Sequence, residues 1–523
     1  MKEDFVKLIE QAILENNFEI VVKELSKLKG VRSFCVKDKL RLSEWYLWAN
    51  EPDKALKILG DLASESELLN INQEEIPLQI RHAYLLNFLG AKYVAMKHFE
   101  VIDKIVNERN IPISTIYPKY FETKGKVFLS AYMFKEAATF FEKAIELNSF
   151  SNRLNMAVVK VSLADCYNGL GEYESSKSLV EGLLSELSSE EISLKSMCHE
   201  VLGECYLFEG NLSRARLEFN SAWKYLKDKN ESKDMAYLCQ MSGACYVLAG
   251  EDEKAQVELL KGIEILNKKN SQPIAKMSLY YWLEKSGYND LEFEDKVMVR
   301  AHHSFSPYRY LLGKSLNPNN KNPLPKWIEK QYVQNSADCW LLDGSEILPA
   351  IYDELRIEEN KNFWDLCSGL ININESFTFL TEIESSTLNI IIGSGSAGVS
   401  EWALIDYVYR QEFIHPSVGV DRIKKIVKQL KTKGFEIETK DRHFKIDSSK
   451  VQIILPMDNK IRGQFAYFMK NCPGEEFKRS DLENFFSITK SMANRWIGEW
   501  EEKEMISSSG NGKAKIYSIK KAS

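Results

Sequence analysis

The sequence predicts a mainly α chain of 523 residues: an α-solenoid of paired helices, a β-containing linker region, and two small helical units each closed by a hairpin. Three observations predict it. A pattern of small and large residues recurs about every 40 positions between residues 36 and 270. A stretch rich in Asn and Pro, SLNPNNKNPLPKW, ends the periodic part and marks a boundary near 315–326. Beyond it, two runs of helix-like pattern each end in an alternating, basic tail.

The repeat comes first in the chain, after a weaker helical hairpin at 5–29 that would cap it. Six pieces align: SEWYLWANEPDKALKIL, AYLLNFLGAKYVAMKHF, GKVFLSAYMFKEAATFFEKAIEL, ADCYNGLGEYESSKSLVEGLL, GECYLFEGNLSRARLEFNSAW and GACYVLAGEDEKAQVELLKGI. Each carries a small residue, a large one three later, a turn, and a small residue early in a second amphipathic helix. That last residue is Ala55, Ala95, Ala137, Ser176, Ala215 and Ala255, at steps of 40, 42, 39, 39 and 40. Gly125, Gly203 and Gly243 would let one helix touch the next, and Phe128, Tyr167, Tyr206 and Tyr246 would fill the groove so made. Gly171, Gly210 and Gly250 would make the tight turns.

These spacings resemble the tetratricopeptide repeat (TPR). The period exceeds the usual ~34 residues of that family, which implies longer helices. The family's first-helix Trp is absent, and no Pro ends the units. The resemblance implies a TPR-like solenoid over residues 1–300 that binds a protein or peptide in a concave groove lined by first helices. By register, Lys126, Asp165, Asn168, Glu200, Glu204 and Gln240 would face that groove. Residues 272–300 continue as helix.

After the boundary, CWLLDGSEILPAI reads as two strands about an Asp-Gly turn, and FTFLTEIESSTLNIIIG as two more. LNIIIGSGSAGVSEWALIDYV has the form of a strand, a GxGxxG and a helix. Gly393, Gly395 and Gly398 could seat a pyrophosphate, with Asp421 placed for a ribose. The competing reading is a flexible Gly/Ser connection, because short hairpins rather than further strand–helix units follow. YRYLLGKS lacks the Gly that a phosphate-binding loop needs where Tyr308 stands. His302 and His303 have no acid–nucleophile pattern around them. No catalytic constellation, no metal spacing and no cofactor are therefore expected, and the chain reads as a binding protein rather than an enzyme.

From residue 400 the order is a helix (SEWALIDYVYR), a loop (411–419), a helix (VDRIKKIVKQLKTKG) and a hairpin (FEIETKDRHFKI). Val420, Ile423, Val427 and Leu430 form an apolar stripe, with lysines over the rest. This unit, within 327–450, resembles the winged-helix domain of OmpR/PhoB-type response regulators and of antibiotic regulatory activators, with Phe444 at the family's hairpin aromatic. Those activators also carry TPR-like repeats, in the opposite order. The resemblance implies that Arg422, Lys425 and Lys428 meet the major groove or its phosphates, and that Lys440 and Arg442 on the wing touch the neighbouring backbone.

The last unit, 451–523, reads as helix, helix–turn–helix and wing. Ser480 with Glu483 would make a capping box. Ala493, Trp496, Ile497 and Trp500 fall at i, i+3, i+4, i+7 and would face the core. Lys490, Ser491, Asn494 and Arg495 are left on the other face, where Asn and Arg side chains can read adenine and guanine edges. The wing offers Lys513 and Lys515.

These two units are expected to be two C-terminal winged helix-turn-helix domains, and the uneven charge suggests that this end of the chain meets a polyanion, the other reading of it being a solvated surface. The net charge is −6, yet residues 395–523 carry 23 Lys/Arg against 17 Asp/Glu, an excess of +6 that leaves −12 on the rest. With 44% hydrophobic and 28% charged residues, no ~18-residue apolar run, an acidic amphipathic N-terminus unlike a signal peptide and nine scattered cysteines, a cytoplasmic protein with no membrane partner is expected. The function expected is a DNA-binding transcriptional regulator whose partners are double-stranded DNA and a protein or peptide. A homodimer would suit two half-sites. Two alternatives remain open: a scaffold subunit of the PCI type, in which helical repeats and a winged helix make protein contacts, and nucleotide-cofactor binding at GSGSAG.

Overall fold

The computed structural model describes residues 3–14, 18–28, 34–49, 51–59, 70–147, 153–189, 191–226, 232–268, 273–301, 339–343, 346–355, 362–373, 376–395, 398–409, 414, 416–440, 442–448, 451–456, 463–471, 474, 476–486, 488–510, 512 and 515–520. The chain forms two compact units. One holds Met1–Gln334 with Ile390–Asp447, and the other holds Asn335–Asn389 with Ser448–Ser523.

The first unit opens with the expected capping hairpin, α1 (Glu3–Leu14) and α2 (Phe18–Ser26). Six helix pairs follow: α3/α4 (Val36–Trp48, Pro52–Leu59), α5/α6 (Ile76–Phe88, Lys92–Glu108), and, after the short α7 (Ile113–Ile116), α8/α9 (Tyr120–Ser130, Phe134–Glu146). Then come α10/α11 (Arg153–Leu170, Tyr173–Glu186), α12/α13 (Ile192–Phe208, Leu212–Leu226) and α14/α15 (Ser232–Leu248, Asp252–Lys268). The expected lengthening of the helices is present in the last three pairs, where α10, α12 and α14 have 18, 17 and 17 residues, whereas α3, α5 and α8 have 13, 13 and 11. The helical stretch expected at 272–300 divides into α16 (Pro273–Lys285) and α17 (Phe293–Ala301).

The physical basis of the pairing is visible repeat by repeat. Ala55, Ala95, Ala137, Ser176, Ala215 and Ala255 are each 0% exposed, because a neighbouring helix presses on every one. Four residues later, Leu59, Phe99, Phe141, Val180, Phe219 and Leu259 are also buried. A Cβ added to Gly125, Gly203 or Gly243 would lie 2.7, 2.4 or 2.5 Å from Phe141, Phe219 or Leu259. The groove over each glycine is therefore filled from the second helix of the pair, not by the first-helix aromatics expected there. Tyr167 and Tyr246 are only half-buried, and the Arg216 guanidinium sits over the Tyr246 ring at 4.8 Å. Gly171, Gly210 and Gly250 turn the chain at φ 78, 81 and 72°. In the third pair Tyr132 occupies the same place at φ 62°, a conformation a non-glycine residue adopts only at a cost.

The chain next builds β1 (Cys339–Asp343), β2 (Glu346–Ala350), β3 (Phe363–Asp365), β4 (Leu370–Ile373) and β5 (Ser376–Phe379). The expected hairpin about Asp-Gly is present, with Asp343 opposite Glu346. The expected strand over LNIIIG is instead helical, in α18 (Glu382–Gly393). A reciprocal capping box starts it: Glu384 Oε2 accepts from Thr381 N at 2.8 Å, and Thr381 Oγ1 accepts from Glu384 N at 3.2 Å.

Then β6 (Val399–Ser400), α19 (Glu401–Val408), α20 (Pro416–Thr432), β7 (Ile437–Lys440) and β8 (His443–Ile446) follow, with sheet order β6-β8-β7. Part of the loop expected at 411–419 is already helix, since α20 begins at Pro416, a residue suited to the first helical turn. Residues 410–413 and 415 lie outside the described residues.

Strand β9 (Gln452–Pro456) pairs antiparallel with β1 and parallel with β3, which gives the second unit a six-stranded sheet of order β2-β1-β9-β3-β4-β5. Compact units therefore do not follow the expected division into 327–450 and 451–523, because β9 is a central strand of a sheet begun at 339. After it come α21 (Gly463–Asn471), β10 (Glu476–Phe477), α22 (Arg479–Phe486), α23 (Lys490–Glu502), β11 (Ile506–Ser509) and β12 (Ile516–Ile519), with sheet order β10-β12-β11. One core joins them to the larger sheet. Phe379 lies 5.3 Å from Phe486 and 5.0 Å from Trp496, ring centre to ring centre. The helix at 479 is not capped by Ser480. Asp481 closes it by accepting from Lys478 N at 2.7 Å.

Candidate nucleic-acid interface

In α23 the sequence separates two faces completely. Ala493, Trp496, Ile497 and Trp500 are buried, at 0–5% exposure. Lys490, Ser491, Asn494, Arg495 and Gly498 are all exposed. Thr489 starts the helix, its Oγ1 accepting from Met492 N at 3.3 Å. A Cβ on Gly498 would meet nothing within 4 Å, so the exposed face is open as well as polar. Among the described residues Arg495 makes a long ion pair with Glu499, at 3.7 Å with both side chains more than half exposed. Such a pair holds little free energy against a competing acceptor.

The hairpin β11–β12 flanks this helix. Lys515 is turned back from its tip, with Nζ 3.2 Å from Glu501 and 4.9 Å from the Tyr517 ring centre. Hydrogen bonds from Ser508 and Lys515 hold the Glu501 carboxyl below its ordinary range. Lys513 lies outside the described residues.

The other expected interface sits on α20. Ile423, Ile426, Val427 and Leu430 are buried, whereas Arg422, Lys424, Lys425, Lys428 and Lys431 are exposed. A cavity of about 460 Å³ lies between this helix and the β7–β8 hairpin, lined by Lys424, Lys428, Lys431, Arg442 and the buried Glu401. Burial raises the Glu401 carboxyl above its ordinary range, and Arg442 and Lys424 pull it the other way. Lys440 is exposed on the hairpin. Arg442, at the hairpin turn with φ 62°, is already engaged: Nε lies 2.9 Å from Glu401 and Nη1 lies 2.7 Å from Asp53.

Asp53 belongs to α4 of the solenoid, so the 399–446 segment is tied to the repeats. A second tie is buried. Asp406, on α19, accepts from Tyr93 N at 2.7 Å and Val94 N at 3.0 Å, at the start of α6. It satisfies donors that the helix itself leaves unpaired, and its charge suits the positive end of the helix dipole. Gly395 completes the set: a Cβ there would lie 2.5 Å from the Glu294 carbonyl oxygen on α17. The GxGxxG glycines thus follow a helix, not a strand, and Gly395 serves a close backbone approach. The pyrophosphate reading, including the role given to Asp421, loses its structural basis.

The six residues expected in the solenoid groove do not form one open row. Lys126, Asp165 and Glu200 are half-buried, and Lys126 pairs with Glu122 at 2.6 Å. Asn168, Glu204 and Gln240 are buried. Asn168 Nδ2 donates to Val201 O at 3.1 Å and its Oδ1 accepts from Cys205 Sγ at 2.9 Å, while Glu204 accepts from the Tyr237 hydroxyl. These polar groups tie α10, α12 and α14 together, because long first helices stack closely enough to enclose them. Register alone placed them in the groove; the neighbouring small residues Ser176 and Gly203 were the sign of enclosure.

Among the described residues no helix is long and apolar enough to cross a membrane, and no group of three or more His, Cys, Asp or Glu could hold a metal ion. No family profile and no curated protein matches the sequence. Solved structures similar to this chain include the apo form of RapI, at 17% identity and a TM-score of 0.37, with 54% of this chain and 85% of that one covered. The apo form of the quorum sensor NprR from B. thuringiensis has 14% identity and a TM-score of 0.39, with 64% and 91% covered. NprR in complex with its cognate peptide NprX has 16% identity and a TM-score of 0.39, with 61% and 97% covered.

Proposed function

We propose that this chain is a DNA-binding transcriptional regulator, with a winged helix at 399–446 and another at 463–519. In each, a short strand leads into two helices and a hairpin and pairs with the hairpin's last strand, with α21 preceding that strand in the second, and this order supports the reading. The observation that carries the reading is α23. Its core face is wholly buried, and the face left over bears Lys490, Ser491, Asn494 and Arg495 beside a bare Gly498. Arg and Asn at the start of a recognition helix can make paired hydrogen bonds to guanine and adenine edges. The lysines of α20 add sequence-independent attraction to phosphates. The solenoid's role is to receive a protein or peptide partner, or to mediate self-association. The reading assigns binding rather than catalysis.

Replacing Arg495 with Ala is expected to cost about 1–3 kcal/mol of binding to the preferred duplex and to relax preference at one base position. Selection of duplexes from a random pool by both proteins, followed by fluorescence anisotropy, reads this out. An equal loss over all sequences would make Arg495 a phosphate contact, and no loss would remove α23 from the interface.

One observation favours a second reading, a scaffold subunit of the PCI kind. The first winged unit already makes protein contacts, through Asp406 and Arg442. Under that reading α23 would bind a protein surface, and duplex DNA would not bind at low salt.

A further inference from the structure

We infer that Asp53 of the solenoid stands in for a DNA phosphate at the wing of the first winged helix, so that DNA must displace it to engage Arg442. This rests on the DNA-binding reading and adds a regulation of the same site.

The ties between the 399–446 segment and the repeats are of two kinds. The Asp406 tie is buried, 1% exposed, and accepts two backbone N–H groups. Breaking it would strand a carboxylate and two helix-end donors away from water, so it keeps the segment in place. The Arg442 tie is at the rim, with the Arg442 and Asp53 side chains 52% and 51% exposed. Exposed ion pairs contribute little and exchange readily.

The geometry around Arg442 explains why a phosphate could take the place of Asp53. The backbone holds the residue, since its carbonyl accepts from Glu401 N at 3.0 Å. The buried Glu401 carboxylate lies 2.9 Å from Nε, an ion pair by distance in which Oε1 receives no hydrogen bond. Asp53 Oδ1 then meets the outer Nη1 at 2.7 Å and receives the Trp402 indole N–H at 3.4 Å. An oxyanion thus sits at the outer edge of a wing arginine, beside the cationic cavity of Lys424, Lys428 and Lys431. That is where a winged helix grips the sugar–phosphate backbone, and guanidinium binds carboxylate and phosphate through the same fork. A solenoid ligand that shifted α4 would alter DNA affinity by moving one carboxylate.

The test is a double-mutant cycle on the full chain: Asp53→Ala, Arg442→Ala and both together, titrated with a mixed-sequence duplex by anisotropy at low salt. Asp53→Ala is expected to tighten binding about three- to fivefold, the range an exposed ion pair allows. In the Arg442→Ala background the same change should do nothing. Asp53→Asn, which keeps the side chain's shape and an acceptor for Trp402, should behave as Asp53→Ala does. Equal affinity of Asp53→Ala and the unsubstituted chain would overturn the competition alone. An undiminished gain in the Arg442→Ala background would also overturn it, by reducing the effect to general charge. Absence of duplex binding by every form would overturn the DNA reading and the competition with it.

Discussion

Phe219→Ala is expected to lower the folding stability of the solenoid by about 3–5 kcal/mol. The side chain is 0% exposed and covers Gly203, where an added Cβ would lie 2.4 Å from the ring. Gly203 has no side chain to extend into that space. The cavity would remain open, and cavity formation adds to the lost transfer energy. Solenoid stability is nearly a sum of repeat and neighbour terms, so the damage should be local. Denaturant unfolding followed by far-UV circular dichroism should show an early helical transition that the unsubstituted chain lacks. A change below about 1 kcal/mol would mean that the glycine–phenylalanine contact does not tie the pair.

Trp496→Ala is expected to cost the second unit about 3–5 kcal/mol. Trp496 is 3% exposed and lies 5.0 Å from Phe379 of the larger sheet and 5.2 Å from Phe486 of α22. Edge-to-face aromatic contacts of this kind add to the area they bury. The residue therefore holds two parts of one core: the sheet begun at β1 and the helices after β9. Near-UV circular dichroism and denaturant unfolding should report early loss of fixed aromatic packing while the solenoid's helical signal persists. If the larger sheet kept its full stability, the shared core would be the wrong description.

The solenoid was legible because its constraint is local and repeated. A small residue every 40 positions or so, with a large one four later, is readable wherever one helix presses on another. The two faces of α23 were legible for the same reason, since Trp496 and Trp500 can point only to a core. The ties between the solenoid and the 399–446 segment were not. Asp406 meets Tyr93 across 313 positions and Arg442 meets Asp53 across 389, and neither side carries a local pattern that names its partner. The strand expected at LNIIIG shows a different failure. Its apolar run fits a strand or a buried helix equally, and the distinguishing signal was Thr381-x-x-Glu384 just before it. Buried Asn168 and Glu204 were misplaced because register gives a direction but not the distance to the next helix.

Binding of the full chain to a mixed-sequence duplex, measured against salt, tests the proposed function most directly. Contact with about six phosphates would give a slope of log K against log salt of about −5. Lys425→Ala should flatten the slope by about 1 without changing sequence preference. No binding at low salt, or a slope near zero, would contradict the DNA-binding reading and leave the 399–446 and 463–519 segments as protein-contact modules.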